Sequence, residues 1–492
     1  MPAENGANGA ADGYVVPLLI NGQDVTTENT FPVESPVSHS TIWTSSSASA
    51  SDTDAAIAAA SAAFPSWARS KPRERRAILL KAADLLEQRK DEYSGYMSQE
   101  MGAGEIFTGF NNSTAAELIR DVAGRTAAIM GSIPICQDEG TSALVLKEPF
   151  GVVLAIAPWN APYILGIRSV LYALAAGNTC ILKGSELAPR CFHSIGRLFL
   201  DAGLPPGCLN IIYTTRSESG PITTRLVAAP AVRKINFTGS TAVGAIIASL
   251  AGQHLKPCLM ELGGKAAAIV LDDADVSVAA MQCAVGAFLN SGQVCMSTER
   301  IVVTSGVVNA FRDALKEAIA KFSPDHHAPP VLVQSAGVER NRRLVGQAVE
   351  KGARVLHGDH EREELHPETK EASTTRMRPI VVDGVSKDMD LYHEESFGPS
   401  VSLIEVRDEE EAVSVANDTD YGLTSAVFTT DLARALRVAK RIESGAVHIN
   451  SMSVHDEATL PHGGVKKSGW GRFNAQWGIE EFLKTKTITF KD

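Results

Sequence analysis

The chain has 492 residues, 44% of them hydrophobic and 21% charged, with a formal net charge of −11. That length suggests about three domains with ample apolar material for large cores, while the acidic balance argues against nucleic acid as a partner, because phosphate binding needs a basic surface. Apolar runs such as Val152 to Ala157 fall far short of the ~20 residues that cross a bilayer, and seven cysteines without a C-x-x-C spacing argue against a disulfide framework or a structural zinc site.

Residues 1–14 are small and polar and read as a disordered tail, neither a secretory nor a transit peptide. With the reducing-compartment cysteine pattern this points to a cytoplasmic protein. An extended start, Val15 to Gly22, leads into helical sequence at Asp54 to Phe64 and Arg73 to Tyr93. From residue 151 short β-rich runs alternate with helices. Strands are expected at 152–157, 180–183, 209–213, 234–237 and 258–262, with helices at 162–175, 189–202 and 219–228 and another beginning near Ala242. Such alternation implies right-handed crossovers and a parallel sheet covered on both faces, that is, an α/β fold. Ligands bind beyond the strand C-termini of such sheets, which is where Asn160, Lys183, Ser240 and Glu261 fall. A second alternating region runs from Ala266 to about Asn450, and Gly263-Gly264 marks a hinge between the two. The stretch His357 to Arg376 is charged and aperiodic and reads as a solvated loop rather than a metal site. Thr485 to Phe490 reads as an edge strand, which needs a partner.

The chemistry-bearing pair is Cys295, in Asn290-Ser-Gly-Gln-Val-Cys295, and Glu261, in Met260-Glu-Leu-Gly-Gly-Lys265. A thiolate attacks an electrophilic carbonyl carbon, and a carboxylate activates the water that later releases an acyl-enzyme. Either residue alone has a bland reading, the cysteine as a small core hydrophobe and the glutamate as a solvated or ion-paired carboxylate. There is no Gly-x-Gly-x-x-Gly. Gly239-Ser-Thr-Ala-Val-Gly244 instead follows a strand and opens a helix, whose free N–H groups and partial positive charge suit a pyrophosphate.

These segments, with Pro158-Trp-Asn160, Glu394-Glu-Ser-Phe-Gly-Pro399 and Pro461-His-Gly-Gly-Val-Lys-Lys-Ser-Gly469, stand in one order that resembles the NAD(P)-dependent aldehyde dehydrogenase superfamily over nearly the whole chain. The resemblance implies a Rossmann-like parallel-sheet cofactor domain at 15–131 and 150–262 and an α/β catalytic domain at 263–465. It also implies a small β oligomerisation element at 132–149 and 466–492, giving a homodimer or homotetramer. Cys295 is then the nucleophile, Glu261 the hydrolytic base and Asn160 an oxyanion donor beside the Cys295 N–H. The cofactor site would comprise Ile156, Ala157, Pro158, Trp159, Lys183, Ser185, Glu186, Gly220, Phe237, Gly239, Ser240, Val243, Leu262, Gly263, Glu395 and Phe397. Glu186 accepts from ribose hydroxyls and repels a 2′-phosphate, favouring NAD over NADP. No metal is implied, and Lys265 and Arg300 are expected to form structural ion pairs.

The substrate pocket is expected at Ala161, Tyr163, Arg168, Val294, Met296 and His455, with Ile164 one helical period before Arg168. Ala161, Arg168 and the loop His455 to His462 depart from the commoner family forms and look most like the salicylaldehyde, benzaldehyde and vanillin dehydrogenase branch, so the expected substrate is a hydroxylated aromatic aldehyde. The loop histidines, His455 and His462, are equally read as structural. An aliphatic aldehyde or semialdehyde dehydrogenase uses the same machinery. Retention of Glu261 disfavours an acylating enzyme that passes the thioester to coenzyme A. A catalytically silent binding protein on this fold is disfavoured by intact Cys295, Glu261 and Asn160.

Overall fold

The helix Pro162–Ala175 begins at a proline, whose missing N–H is one the first turn could not use anyway. It ends where Gly177 takes a φ of +93°. There the N–H groups of Gly177 and Asn178 return to the carbonyls of Leu174 and Ala173, satisfying two otherwise orphaned acceptors. Every position of this helix is buried, Arg168 and Ser169 included, in an otherwise apolar sequence. The helix Pro189–Ala202 follows Ala188, which has no side chain able to cap it. Glu100 does so from the helix Lys90–Met101, accepting the Arg190 and Cys191 N–H groups at 2.8 and 3.0 Å and the Trp43 indole N–H at 3.0 Å. Burial pushes the Glu100 carboxyl up to about 7.

These elements belong to the first of two compact units in the computed structural model, which describes residues 14–324 and 326–491; the expected tail, Tyr14 apart, lies outside the described residues. The first unit holds the chain up to Asn236, together with Ile247–Cys258 and the stretch from Ala475 onward. Its parallel strands Val152–Ile156, Thr179–Lys183 and Leu209–Ile212 pair in succession. The antiparallel strands Leu18–Ile20 and Gln23–Val25 extend that side. Val232–Thr238 lies on the other side of Val152–Ile156, so strand order reverses between these two, the kind of point where open α/β sheets bind ligands. The strand Leu483–Lys491 pairs antiparallel with Thr141–Pro149 from one end to the other. This ribbon leaves Leu146, Ile488 and Phe490 exposed.

The second unit comprises Phe237–Ile246 and Leu259–Asn474. It therefore begins at Leu259, ahead of the expected boundary at Gly263. Met260 and Glu261 pair antiparallel with Trp470 and Gly469, which ties them to this unit. Its seven-stranded sheet runs in the order Arg354–His357, Ile380–Asp383, Ser400–Val406, Thr298–Thr304, Ala266–Val270, Thr424–Phe428, Ala446–Ile449. All neighbours are parallel except the first pair. Ala267, Ile269 and Leu271 enter one core layer while Ala268 and Val270 enter the opposite one. A strand buried on both faces reads as a continuous apolar run for that reason.

Candidate active site

In the second unit the strand Cys258–Glu261 ends on Glu261, whose side chain is 1% exposed. Neither carboxylate oxygen has a hydrogen-bond partner among the described residues. Beyond it the backbone is held by Ser468, whose carbonyl accepts from the Leu262 N–H and whose hydroxyl donates to the Gly263 carbonyl at 2.6 Å. The next two positions must be glycine. A Cβ on Gly263 would stand 2.4 Å from the Glu395 carboxylate, and one on Gly264 would stand 2.3 Å from the Cys295 carbonyl oxygen. The chain leaving Glu261 thus lies against the backbone of Cys295. The parallel pairing of Ala266 with Thr298 continues that juxtaposition into the sheet.

The loop that presents Cys295 is strained and clamped. Asn290 and Ser291 take φ of +50° and +59°, followed by Gly292 at +71°; each non-glycine residue there costs roughly 1–2 kcal/mol. The strain is offset by bonds that sequence reading missed. Ser291 Oγ donates to the Val331 carbonyl at 2.9 Å. Gln293 donates to the Asn290 carbonyl at 3.1 Å and accepts the Val333 N–H at 2.9 Å. Ser297 Oγ donates to the Gly292 carbonyl at 3.2 Å. Cys295 is partly exposed between buried Val294 and Met296. All seven cysteines are free, but burial holds the Cys180 and Cys191 thiols well above the usual range and pushes Cys208 up to about 12 and Cys258 up to about 11. Those four remain protonated at neutral pH and are not nucleophiles.

Glu299 organises the neighbouring loop, a role without a sequence signal. It accepts from the Ser396 N–H and hydroxyl and from the Phe397 N–H at 2.9–3.1 Å, and it pairs with Lys265 at 2.7 Å. These bonds hold Phe397 at a φ of +48°. Glu395 accepts the Gly264 N–H at 2.9 Å; burial pushes its carboxyl up to about 8, against the pull of that N–H. Lys265 therefore takes the expected structural ion pair. Arg300 does not. Among the described residues it has no carboxylate partner and instead donates to the carbonyls of Lys265, Val415 and Ala416. Backbone carbonyl dipoles, that of Asp418 at 3.5 Å among them, solvate the charge, and burial lowers it to about 10.

Also in this unit, the Gly239 N–H donates to the Glu261 carbonyl at 3.1 Å. Ser240 precedes the helix Thr241–Gln253, and its hydroxyl oxygen accepts the Val243 N–H at 3.4 Å, so its own proton stays available to an anion. Phe237 and Leu262 are buried and Val243 is 45% exposed. His455 is drawn to Glu457 at 2.6 Å, which supplies the structural reading of that residue.

In the first unit Ile156 pairs with Lys183 at one sheet edge, and the Ala157 N–H reaches the Lys183 carbonyl. Asn160 is 3% exposed. Lys183 is 6% exposed and forms no ion pair among the described residues; burial lowers its ammonium while Glu186 favours the charged form. Ser185 Oγ accepts the Leu187 N–H and turns the chain so that Ser185 and Glu186 follow Lys183 on a part-exposed loop. Gly220 sits in the helix Arg216–Ala228 with open space at its Cβ position. Ala161 is 9% and Arg168 2% exposed, so the guanidinium does not reach bulk solvent. The expectation that Tyr163 lines the pocket is not met. Its ring stacks on Tyr93 at 4.9 Å and its hydroxyl lies 3.2 Å from Ser194 Oγ, a packing role between helices.

The Cys295 loop is bent against the strand that carries Glu261 through two obligatory glycines, and residues 24–488 match the aldehyde dehydrogenase family model. The chain belongs to the aldehyde dehydrogenase family and is an aldehyde-oxidising, NAD(P)-dependent oxidoreductase. It is 43% identical to a vanillin dehydrogenase of Pseudomonas sp. strain HR199, covering 97% of this chain and 98% of that one. It is 40% identical to a salicylaldehyde dehydrogenase of Pseudomonas sp. strain C18, covering 96% and 98%. The crystal structure of a salicylaldehyde dehydrogenase from Pseudomonas putida G7 complexed with salicylaldehyde superposes with a TM-score of 0.92 at 37% identity, covering 97% and 98%.

Proposed function

We propose that the chain oxidises a hydroxylated aromatic aldehyde to the carboxylic acid, with NAD as the preferred cofactor. The observation that carries the chemistry is the contact of Gly264 with the Cys295 carbonyl, which brings the Glu261 strand to a partly exposed thiol. Cys295 Sγ, as thiolate, adds to the aldehyde carbon and forms a thiohemiacetal alkoxide. The Cys295 N–H donates to that oxygen, such a donor being worth roughly 3–4 kcal/mol, and the family resemblance assigns the Asn160 amide to the same role. As the carbonyl reforms, hydride leaves and a thioester remains on Cys295. When bound, NAD supplies the acceptor for that hydride. Glu261 then takes a proton from water, the resulting hydroxide attacks the thioester carbon, and the acid and free thiolate are released.

Lys183, buried without a carboxylate partner, fits the hydroxyls of a ribose, and Ser240 and the helix behind it fit a pyrophosphate. Glu395 and Phe397, fixed by Gly264 and Glu299, would hold the nicotinamide end. Glu186 should make NAD the better acceptor, and Glu186→Ser should narrow the kcat/KM gap to NADP by at least about tenfold, equivalent to ~1.4 kcal/mol. A wild-type enzyme faster with NADP would refute the ribose assignment.

The aromatic substrate is supported by the vanillin and salicylaldehyde dehydrogenases among the relatives and by the buried Arg168. A guanidinium stacks on a ring or bonds a phenolate. Arg168→Leu is expected to lower kcat/KM for hydroxybenzaldehydes roughly 10- to 150-fold relative to benzaldehyde, the worth of one charge-assisted hydrogen bond at ~1.5–3 kcal/mol. Equal losses on both substrates would remove it from substrate reading. The same cation could instead pair with the carboxylate of a semialdehyde, and succinate-semialdehyde dehydrogenases are relatives at 35–36% identity. Initial rates of NADH formation across aromatic, aliphatic and carboxylated aldehydes decide between the two. The ribbon Thr141–Pro149 and Leu483–Lys491, with exposed Leu146, Ile488 and Phe490, is assigned to a homodimer or homotetramer contact, since a lone two-stranded ribbon is marginal in water.

A further inference from the structure

Glu261 has to release the proton it takes from water, yet it is 1% exposed and neither of its oxygens has a hydrogen-bond partner among the described residues. His462 Nε2 stands 3.6 Å from Glu261 Oε1 and likewise has no hydrogen-bond partner among the described residues. The backbone of His462 is held in a bridge with Phe473, and no bond of Nε2 commits its ring to another side chain. Around it stand two further histidines. The Gly463 carbonyl packs against Gly445, at the start of the strand bearing His448. The His448 ring lies 4.8 Å from that of His455, and His455 reaches the exposed Glu457 at 2.6 Å. Burial, with the charges of His455 and His462 nearby, lowers His448 to about 4, so it stands neutral and able to accept on one nitrogen and donate from the other. The other charged groups of this region are engaged: Asp456 accepts from Asn474 at 2.7 Å and Arg472 donates to the Gly464 carbonyl. No group of three or more His, Cys, Asp or Glu among the described residues is arranged to hold a metal ion.

We propose that His462 is the proton-relay partner of Glu261, taking the proton that the carboxylate removes from the hydrolytic water and directing it outward past His448 and His455 to Glu457. This rests on the reading of Glu261 as the hydrolytic base. In each turnover the water O–H bond breaks and its proton passes to the carboxylate. The carboxyl O–H bond then breaks as the proton moves to His462 Nε2, and the imidazolium releases it toward solvent, restoring both groups. No electrons move in this step.

The test is rapid mixing of the full-length enzyme with NAD and aldehyde. His462→Gln keeps the volume and a hydrogen-bonding amide but carries no proton. It should retain the first-turnover burst of NADH and slow the steady state by about tenfold, the lower end of general acid–base contributions. In His462→Ala, added imidazole should restore the steady-state rate, a recovery that a packing defect would not show. An unchanged steady state in His462→Gln would overturn the relay, and so would a burst that falls with the steady state and imidazole that restores nothing. Glu261→Gln run in parallel separates the two ideas: a burst followed by slow turnover there, with His462→Gln unchanged, leaves the base in place and removes only the relay.

Discussion

Cys295→Ala is expected to abolish aldehyde oxidation, with turnover falling by roughly 10⁴-fold or more because no other group can form the covalent intermediate. The buried thiols cannot substitute for it. Cys180, Cys191, Cys208 and Cys283 are buried and held protonated by that burial. The loop itself should survive the change, because Ser291, Gln293 and Ser297 hold it through bonds that do not involve the thiol. Cofactor binding, followed by titration of the purified variant, should therefore stay near wild type while NADH formation disappears. Turnover close to wild type would rule the nucleophile assignment out. Loss of cofactor binding together with activity would mean that the variant reports on folding, and Cys295→Ser, closer in shape, would then be the variant to compare.

Glu261→Gln should separate the two halves of the reaction. The amide matches the carboxylate in shape and cannot take a proton, so thioester hydrolysis should slow by about 10²- to 10⁴-fold. Hydride transfer should be spared. Rapid mixing should show a burst of NADH close to one per active site, then a slow steady state. The packing around the site favours a clean result: Glu261 makes no hydrogen bond among the described residues that the amide would lose, and the strand is held by Ser468, Gly469 and Trp470 through backbone. If the burst vanishes in step with turnover, the carboxylate acts earlier, in forming the Cys295 thiolate.

The two residues of that chemistry were legible because each sits in a run of small residues that only a close backbone approach explains. Gly263 and Gly264 after Glu261 are the clearest case, since the Glu395 carboxylate and the Cys295 carbonyl occupy the space of their missing side chains. Helix punctuation was legible for a local reason as well. Pro162 and Pro189 open helices, and Gly177 closes one through a left-handed turn, so 162–175 and 189–202 could be bounded from chain order alone. Buried strands such as Ala266–Val270 announce themselves as short apolar runs between turn residues.

Long-range pairing lay beyond that reading. Tyr163 looks like a pocket residue in sequence, but Tyr93 and Ser194, far away in the chain, claim its ring and hydroxyl. Arg300 was expected to find a carboxylate and found backbone carbonyls, because the acid nearest to it in sequence, Glu299, is spent on Lys265 and on the turn that places Phe397. The rule that parallel sheets bind ligands at strand C-termini places Ile156 and Lys183 at one such edge. In the second unit Gly264, Cys295 and Phe397 instead precede the strands Ala266–Val270, Thr298–Thr304 and Ser400–Val406, at their N-terminal ends. Which end of a sheet gathers the chemistry depends on which loops are strained and clamped, and those clamps are bonds between segments distant in the chain. By itself the sequence determined the alternating fold and the limits of the helices that open on Pro162 and Pro189, because these follow from local sterics and periodicity. The tertiary structure alone decided the partners of buried Lys265, Glu299 and Arg300, because a buried polar group is satisfied by whatever the fold brings within about 3 Å of it, and it alone set His462 beside Glu261.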